Sequence, residues 1–247
     1  MGFGVIIIGD EILSGKREDK HFAHVVAALR GHGLALAWCR IVGDVPTLIT
    51  ATLRDTFALP DAVFCFGGIG ATPDDHTRQC AAAAAGVSLE PHPDAVAEIE
   101  ARFGAEAYPH RIRMAELPRG ARIIPNPYNR IPGFSFAEHH FLPGFPVMAW
   151  PMLNWVLEQR YAALFRDDAD VERTVVVFDV HESQLLPVME DLVRRFPEVR
   201  FSSLPSVQGP RPHIELSIRA AAPAAEPAYH WLLAQLRAAG VTLREQC

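Results

Sequence analysis

The segments "FGVIIIG", "LALAWCRIVG" and "DAVFCFGG" are short apolar runs, each followed by an amphipathic stretch. This alternation constrains the fold more than any other feature. A near-continuous apolar run ending at glycine reads as a strand covered on both faces, and such strands belong to parallel sheets. Between them, "DKHFAHVVAALRGHG" and "PTLITATLRDTFA" read as helices, the first stopping at glycine and the second opening on Pro46. Strand, helix, strand, helix, strand implies right-handed crossovers and a mostly parallel α/β sheet. A third helix is expected in "DDHTRQCAAAAAG". Residues 91–119 read as less regular helix, residues 121–146 as short strands with tight turns, and "MLNWVLEQRYAALF" as a closing helix.

The polar seam "RDDAD", residues 166–170, marks a linker and divides the chain into domains of residues 1–167 and 168–247. Beyond it, "RTVVVFDV", "SQLLPVMEDLVRRF", "VRFSSL", "HIELSIRA" and "AYHWLLAQLRAAG" read as β-α-β-β-α, a small α+β domain.

A net charge of −6 argues against nucleic acid or an anionic membrane as the main partner. A phosphate site must therefore be local, built from backbone donors, a cation or a few basic residues. Cys39, Cys65, Cys80 and Cys247 form no CxxC and no zinc-ligand spacing, so they read as reduced thiols. With no apolar stretch of spanning length, no basic leader and no myristoylation pattern, the expected location is cytoplasmic.

In an open parallel sheet, ligands bind beyond the carboxyl ends of the strands. "IIIGDEIL" brings Asp10 and Glu11 there, "RIVGDVP" brings Asp44, and "FGGIGATPDDHT" brings Gly67, Gly68, Gly70, Thr72, Asp74, Asp75 and Thr77. Glycines let backbone N–H groups approach a bound anion. Acids directly after such a loop make sense if a divalent cation sits between them and phosphate. Thr72-Pro73-Asp74-Asp75 also reads as a plain helix start, with Thr72 as cap and the acids in the first turn. Neither a GxGxxG fingerprint nor a Walker loop fits, because Pro73 replaces a glycine and no Gly-Lys pair follows.

These residues resemble a known family. "GGIGATPDDHT" looks like the signature of the molybdopterin-binding (MoaB/Mog-type) domain, while "GDEILSG", "PNPYNRIPGF" and "FLPGFPVM" resemble the CinA N-terminal (competence/damage-inducible protein A) branch. The likeness covers about residues 3–165, and the tail resembles the small KH-like domain that follows in CinA. It implies a doubly wound, three-layer α/β domain that binds a phosphorylated pterin or nucleotide, with Asp44 and Asp75 as the functional aspartates. Asp10, Asp74 and Asp75 are the implied holders of Mg²⁺, Mn²⁺ or Co²⁺. Gly67, Gly68, Gly70, Thr72, Thr77, Asp10, Glu11, Pro143 and Gly144 are the implied ligand contacts. Lys20 reads either as a phosphate contact or as a solvated lysine. Asn126, Asn129 and Gly133 match a family turn on a second wall. In the CinA branch the domain is similar to a metal-dependent pyrophosphatase of ADP-ribose, and a FAD synthase relative hydrolyses FAD. A dimer is implied.

The chain departs from the pattern at Ala71, at Asp19-Lys20-His21, at Phe145, and at Met148, where the family carries a glutamate. CinA's C-terminal deamidase activity is not carried over. Three readings follow: a metal-dependent hydrolase of ADP-ribose- or FAD-type compounds, a molybdopterin-binding or pterin-nucleotide module, and a non-catalytic nucleotide sensor. His21, His24, His139 and His140 read as partly exposed structural histidines, and His76 as an exposed first-turn residue or a phosphate contact. Trp38, Trp150, Trp155 and Trp231 read as core. Arg111, Arg113 and Arg130 are candidate sources of positive charge.

Overall fold

The computed structural model describes residues 1–166, 170–206 and 211–246. The chain forms two compact units, Met1–Phe165 and Arg166–Cys247. Asp167, Asp168 and Ala169 of the expected linker lie outside the described residues, as does Cys247.

The first unit runs β1 (Phe3–Ile8), α1 (Asp10–Leu13), α2 (His21–Gly31), β2 (Leu36–Val42), α3 (Pro46–Phe57), β3 (Ala62–Phe66) and α4 (Thr77–Ala85). It continues through β4 (Leu89–Pro91), α5 (Pro93–Phe103), β5 (Glu116–Pro118), β6 (Arg122–Ile124), β7 (Gly133–Phe136), β8 (His139–Leu142) and α6 (Pro146–Arg160). Its main sheet has the order β2-β1-β3-β8-β7-β6, in which β2, β1, β3 and β8 are parallel and β7 and β6 extend it antiparallel. This is the doubly wound α/β fold. Alternate residues of the central strands feed separate cores. Ile6, Ile8, Val63 and Cys65 pack with Ile49 and Leu53 of α3, whereas Val5, Ile7, Phe64 and Phe66 pack with Val25 of α2 and Leu153 of α6. Every residue of β1 and β3 is buried. Each such large side chain contributes about 1.5–3 kcal/mol of transfer free energy, which is why these runs carry no polar residue.

The histidines differ from expectation. His21, His139 and His140 are buried rather than partly exposed. His139 bonds Thr56 Oγ1 (2.8 Å) and the Ala137 carbonyl (2.9 Å). His140 lies between Ser135 Oγ (2.8 Å) and Tyr161 Oη (2.7 Å), and the Tyr161 hydroxyl donates to Glu138 (2.9 Å). Burial lowers His139 to about 4 and His140 to about 3, so both are neutral. The tryptophans are not fully enclosed either. Trp155 is 37% exposed, and the other three are half-buried at the margins of the cores.

The second unit contains β9 (Val171–Phe178), α7 (Glu182–Arg195), β10 (Arg200–Ser206), β11 (His213–Ala220), α8 (Ala222–Ala238) and β12 (Thr242–Gln246). The α+β unit thus has one strand beyond the expected five elements, because the polar segment "TLREQ" pairs antiparallel with β9. The sheet order β10-β11-β9-β12 is entirely antiparallel, the split β-α-β arrangement of ferredoxin-like units.

Candidate functional site

The four parallel strands end at one edge. There the loops after β1, β2, β3 and β8 bound a cavity of about 450 Å³. Its floor is the loop from Gly67 to Asp75. Gly67 and Gly68 take positive φ values of 101° and 68°. A Cβ at Gly67 would lie 2.2 Å from the Ile8 carbonyl oxygen, and one at Gly68 would lie 2.3 Å from Thr77 Oγ1. Gly70 has no such backbone need; the Asp75 carboxylate occupies the place its Cβ would take, at 2.5 Å. Among the described residues, none accepts a hydrogen bond from the amides of Gly68, Ile69, Gly70 or Ala71. The loop therefore lines the cavity with four consecutive residues whose amides have no protein acceptor, and runs of free amides can bind anions.

Helix α4 does not begin at Thr72. The side chain of Asp75 turns back and accepts from the Thr72 amide (2.9 Å) and hydroxyl, while the Asp75 amide donates to the Thr72 carbonyl (3.0 Å). This closes a turn, and the helix starts at Thr77, whose buried hydroxyl donates to the Gly67 carbonyl (3.0 Å). Thr77 thus ties the floor to the helix from beneath and does not line the cavity. His76 is half-buried in the helix-cap position.

Sequence reasoning missed Arg78. It is 3% exposed, and its guanidinium donates to the carbonyls of Gly70 (2.7 Å), Glu116 (3.1 Å) and Arg113. It fastens the rim of the loop to β5. An arginine after a threonine in a helix's first turn reads as solvated, so only its place beside the signature pointed to it. Arg111 pairs with Glu106 and Arg130 with Glu98, and Arg113 contributes its carbonyl to Arg78. None of these three lines the cavity; its cation is Arg17.

The acids divide by position. Glu11, Asp44, Asp74 and Asp75 line the cavity. Asp10 does not, but it is coupled to Asp44: the Asp10 amide donates to Asp44 Oδ2 (2.9 Å) and the Asp44 amide to Asp10 Oδ1 (3.1 Å). Burial raises Asp44 above the usual carboxylate range, and the charges of Asp10, Glu11 and Asp74 push the same way against the Asp10 hydrogen bond. Surplus negative charge of this kind suits a divalent cation. Among the described residues, however, no three His, Cys, Asp or Glu side chains converge as a metal cage. The donor set fits a cation held by one or two carboxylates, with the other ligands from phosphate and water.

The opposite wall comes from β8–α6 and the turn before β7. Pro143, Gly144, Phe145 and Met148 line it, with Asn126 and Asn129. The asparagines build the turn: Asn126 donates to the Ile131 carbonyl (2.9 Å) and accepts from the Tyr128 amide (3.0 Å), and Asn129 accepts from the Ile131 amide (3.0 Å). Asn129 Nδ2 also lies 3.1 Å from Met148 Sδ. Gly133 belongs to packing, since a Cβ there would lie 2.4 Å from the Phe141 carbonyl oxygen. Lys20 is exposed and lies outside this cavity, beside a neighbouring one.

The family model described as "Probable molybdopterin binding domain" matches residues 4–163. The chain belongs to this family. Within the molybdopterin-binding domain family its likeness is to the CinA N-terminal branch. A CinA-like protein of Desulforapulum autotrophicum is 35% identical over 213 residues, 81% of this chain and 50% of the relative. A CinA-like protein of Citrifermentans bemidjiense is 33% identical over 201 residues, 78% and 48% of the two chains. The chain spans about half the length of these curated relatives. Among solved structures, the protein CinA of Thermoplasma acidophilum, described as of unknown function, superposes with a TM-score of 0.59 at 29% identity. That match covers 64% of this chain and 98% of the other. Among the described residues, no helix is long and apolar enough to cross a membrane.

Proposed function

We propose that the first unit binds a phosphorylated nucleotide or pterin and hydrolyses a phosphoanhydride link of the ADP-ribose or FAD type. The supporting observation is the juxtaposition of four unpaired loop amides with a carboxylate, Asp44, held above its ordinary range. The amides of Gly68 to Ala71 bind the oxygens of one phosphate. Asp74 and the Oδ1 side of Asp75 are the residues that would hold a divalent cation, which when bound offsets charge on the phosphate oxygens. Asp44, fixed by the Asp10 amide, takes the proton of the attacking water as the new P–O bond forms. The anhydride P–O bond breaks, and a phosphate monoester leaves on each side. On this reading the partner is a small molecule, and the protein works in the cytoplasm as a dimer.

The test is product analysis by HPLC with ADP-ribose and FAD, each supplied with Mg²⁺, Mn²⁺ or Co²⁺. AMP should form only with metal, and Asp44→Asn should lower the rate by about 10²–10⁴ while leaving the circular dichroism spectrum unchanged. No AMP with any metal overturns the hydrolase reading. One observation favours a second reading, a molybdopterin- or nucleotide-binding module without turnover. Met148 packs a thioether against Asn129 where the family resemblance expects a carboxylate. Nucleotide binding with no product would establish it.

A further inference from the structure

A second cavity of about 320 Å³ adjoins the first and shares Glu11, Arg17 and Gly144 with it. The two differ in charge. The first holds Glu11, Asp44, Asp74 and Asp75 against one arginine, whereas the second holds Glu11, Glu18 and Asp19 against two cations, Arg17 and Lys20. Its own acid Asp19 is committed to the backbone, accepting from the amides of His21 (3.0 Å) and Phe22 (2.9 Å). Among the described residues, the side chains of Arg17 and Lys20 meet no carboxylate at ion-pair distance, although Glu11 and Glu18 share the cavity with them. The ridge between the cavities is fixed. His21 Nε2 bonds the Gly144 carbonyl (3.1 Å), and its ring stacks on Phe66 at 4.3 Å. Gly144 adds no side chain to this ridge.

We infer that Arg17 and Lys20 form a distal subsite for the second phosphoryl group of a pyrophosphate diester, making such two-headed compounds, rather than phosphate monoesters, the preferred ligands. This rests on the reading above and extends it. The first cavity, of about 450 Å³, is lined by a single cation, so the second phosphate of a diester has no further basic partner inside it. The second phosphate then crosses the ridge at Gly144 and meets two cations that have no protein partner.

Calorimetric titration with Mg²⁺ present decides it, using the 247-residue chain carrying Asp44→Asn so that ADP-ribose is not consumed. ADP-ribose should bind about tenfold or more tightly than AMP, roughly one charged contact's worth. Adding Lys20→Ala, at the residue that lies outside the first cavity, should abolish most of that difference and leave the AMP dissociation constant unchanged. The Lys20 side chain is exposed, so the fold tolerates the change. A difference that survives the substitution overturns the inference, as does an equal loss for AMP, and in either case the phosphate-binding reading still stands. Failure of both compounds to bind the parent protein removes both.

Discussion

Both units pair charges on their surfaces, the first through Arg40–Asp55, Arg111–Glu106, Arg130–Glu98 and Arg160–Glu138, but the first also gathers unpaired acids in one cavity. In the second unit, Arg173 pairs with Glu226, Arg194 with Asp191, Arg211 with Asp179, Arg219 with Asp170 and Arg237 with Glu245. In the first, Glu11, Asp44, Asp74 and Asp75 face a common cavity without an ion-pair partner among the described residues, and Arg17 and Lys20 stand unpaired beside them. Topology explains the contrast. Parallel strands deliver their loops to one edge, so like charges are brought together there. Antiparallel strands turn at both ends, so no single edge of the second unit's sheet collects the loops.

The largest effect is expected at the floor of the cavity. Gly67→Ala combines a positive φ with a clash against the Ile8 carbonyl and should destabilise the first unit by about 3–5 kcal/mol in urea unfolding. Gly240→Ala, also at positive φ (69°) but with nothing within 4 Å, should cost only about 1 kcal/mol. Equal costs at the two glycines would erase the contrast between a packed floor and an ordinary helix end.

Arg78→Met comes next. It strands the carbonyls of Gly70, Arg113 and Glu116, and should lose about 2–3 kcal/mol together with nucleotide affinity. Stability lost without affinity would make Arg78 a packing residue only.

Acid should also separate the units. His139 and His140 have folded values of about 4 and about 3 against 6.5 when unfolded, so the unfolded chain binds more protons between pH 6.5 and 4. Stability is full above pH 6.5 and falls as pH drops through that window, by at most about 1.4 kcal/mol per pH unit for each histidine. Glu138, Arg160 and Arg122 act on the pair as well. The double substitution His139→Gln, His140→Gln should flatten the slope; an unchanged slope in pH-dependent denaturation would assign it to carboxylates. The histidines of the second unit are not buried, so its unfolding should lack this component.

The smallest effect belongs to the paired surface. Arg237→Ala breaks an exposed ion pair and should change stability by no more than about 0.5 kcal/mol.

The central strands were legible because β1 and β3 are apolar throughout and only a sheet covered on both faces accepts that pattern. The glycines and acids of the site were legible for a related reason, since few structures need both in succession. Other features depended on partners distant in sequence. "HHFL" hides two histidines because Thr56, Ser135 and Tyr161 supply their hydrogen bonds. The start of α4 was misplaced because Thr72 and Asp75 satisfy each other, and the helix takes its anchor from Gly67 through Thr77. The strand β12 has no apolar periodicity and exists through its pairing with β9. Arg78 reads as an ordinary surface residue until the carbonyls it serves are brought to it.

The way Asp75 fills the space beside Gly70 bears on how this site can be altered. Floor residues here are mutually dependent: a side chain at position 70 displaces the carboxylate, the carboxylate releases Thr72, and the loop loses its shape. The facing wall is also hydrogen-bonded, Asn129 reaching Met148 and His21 reaching the Gly144 carbonyl, but Phe145 stands apart from these contacts and is 55% exposed. The loop from Gly67 to Asp75 can therefore change only as a block, whereas the wall can change singly at Phe145.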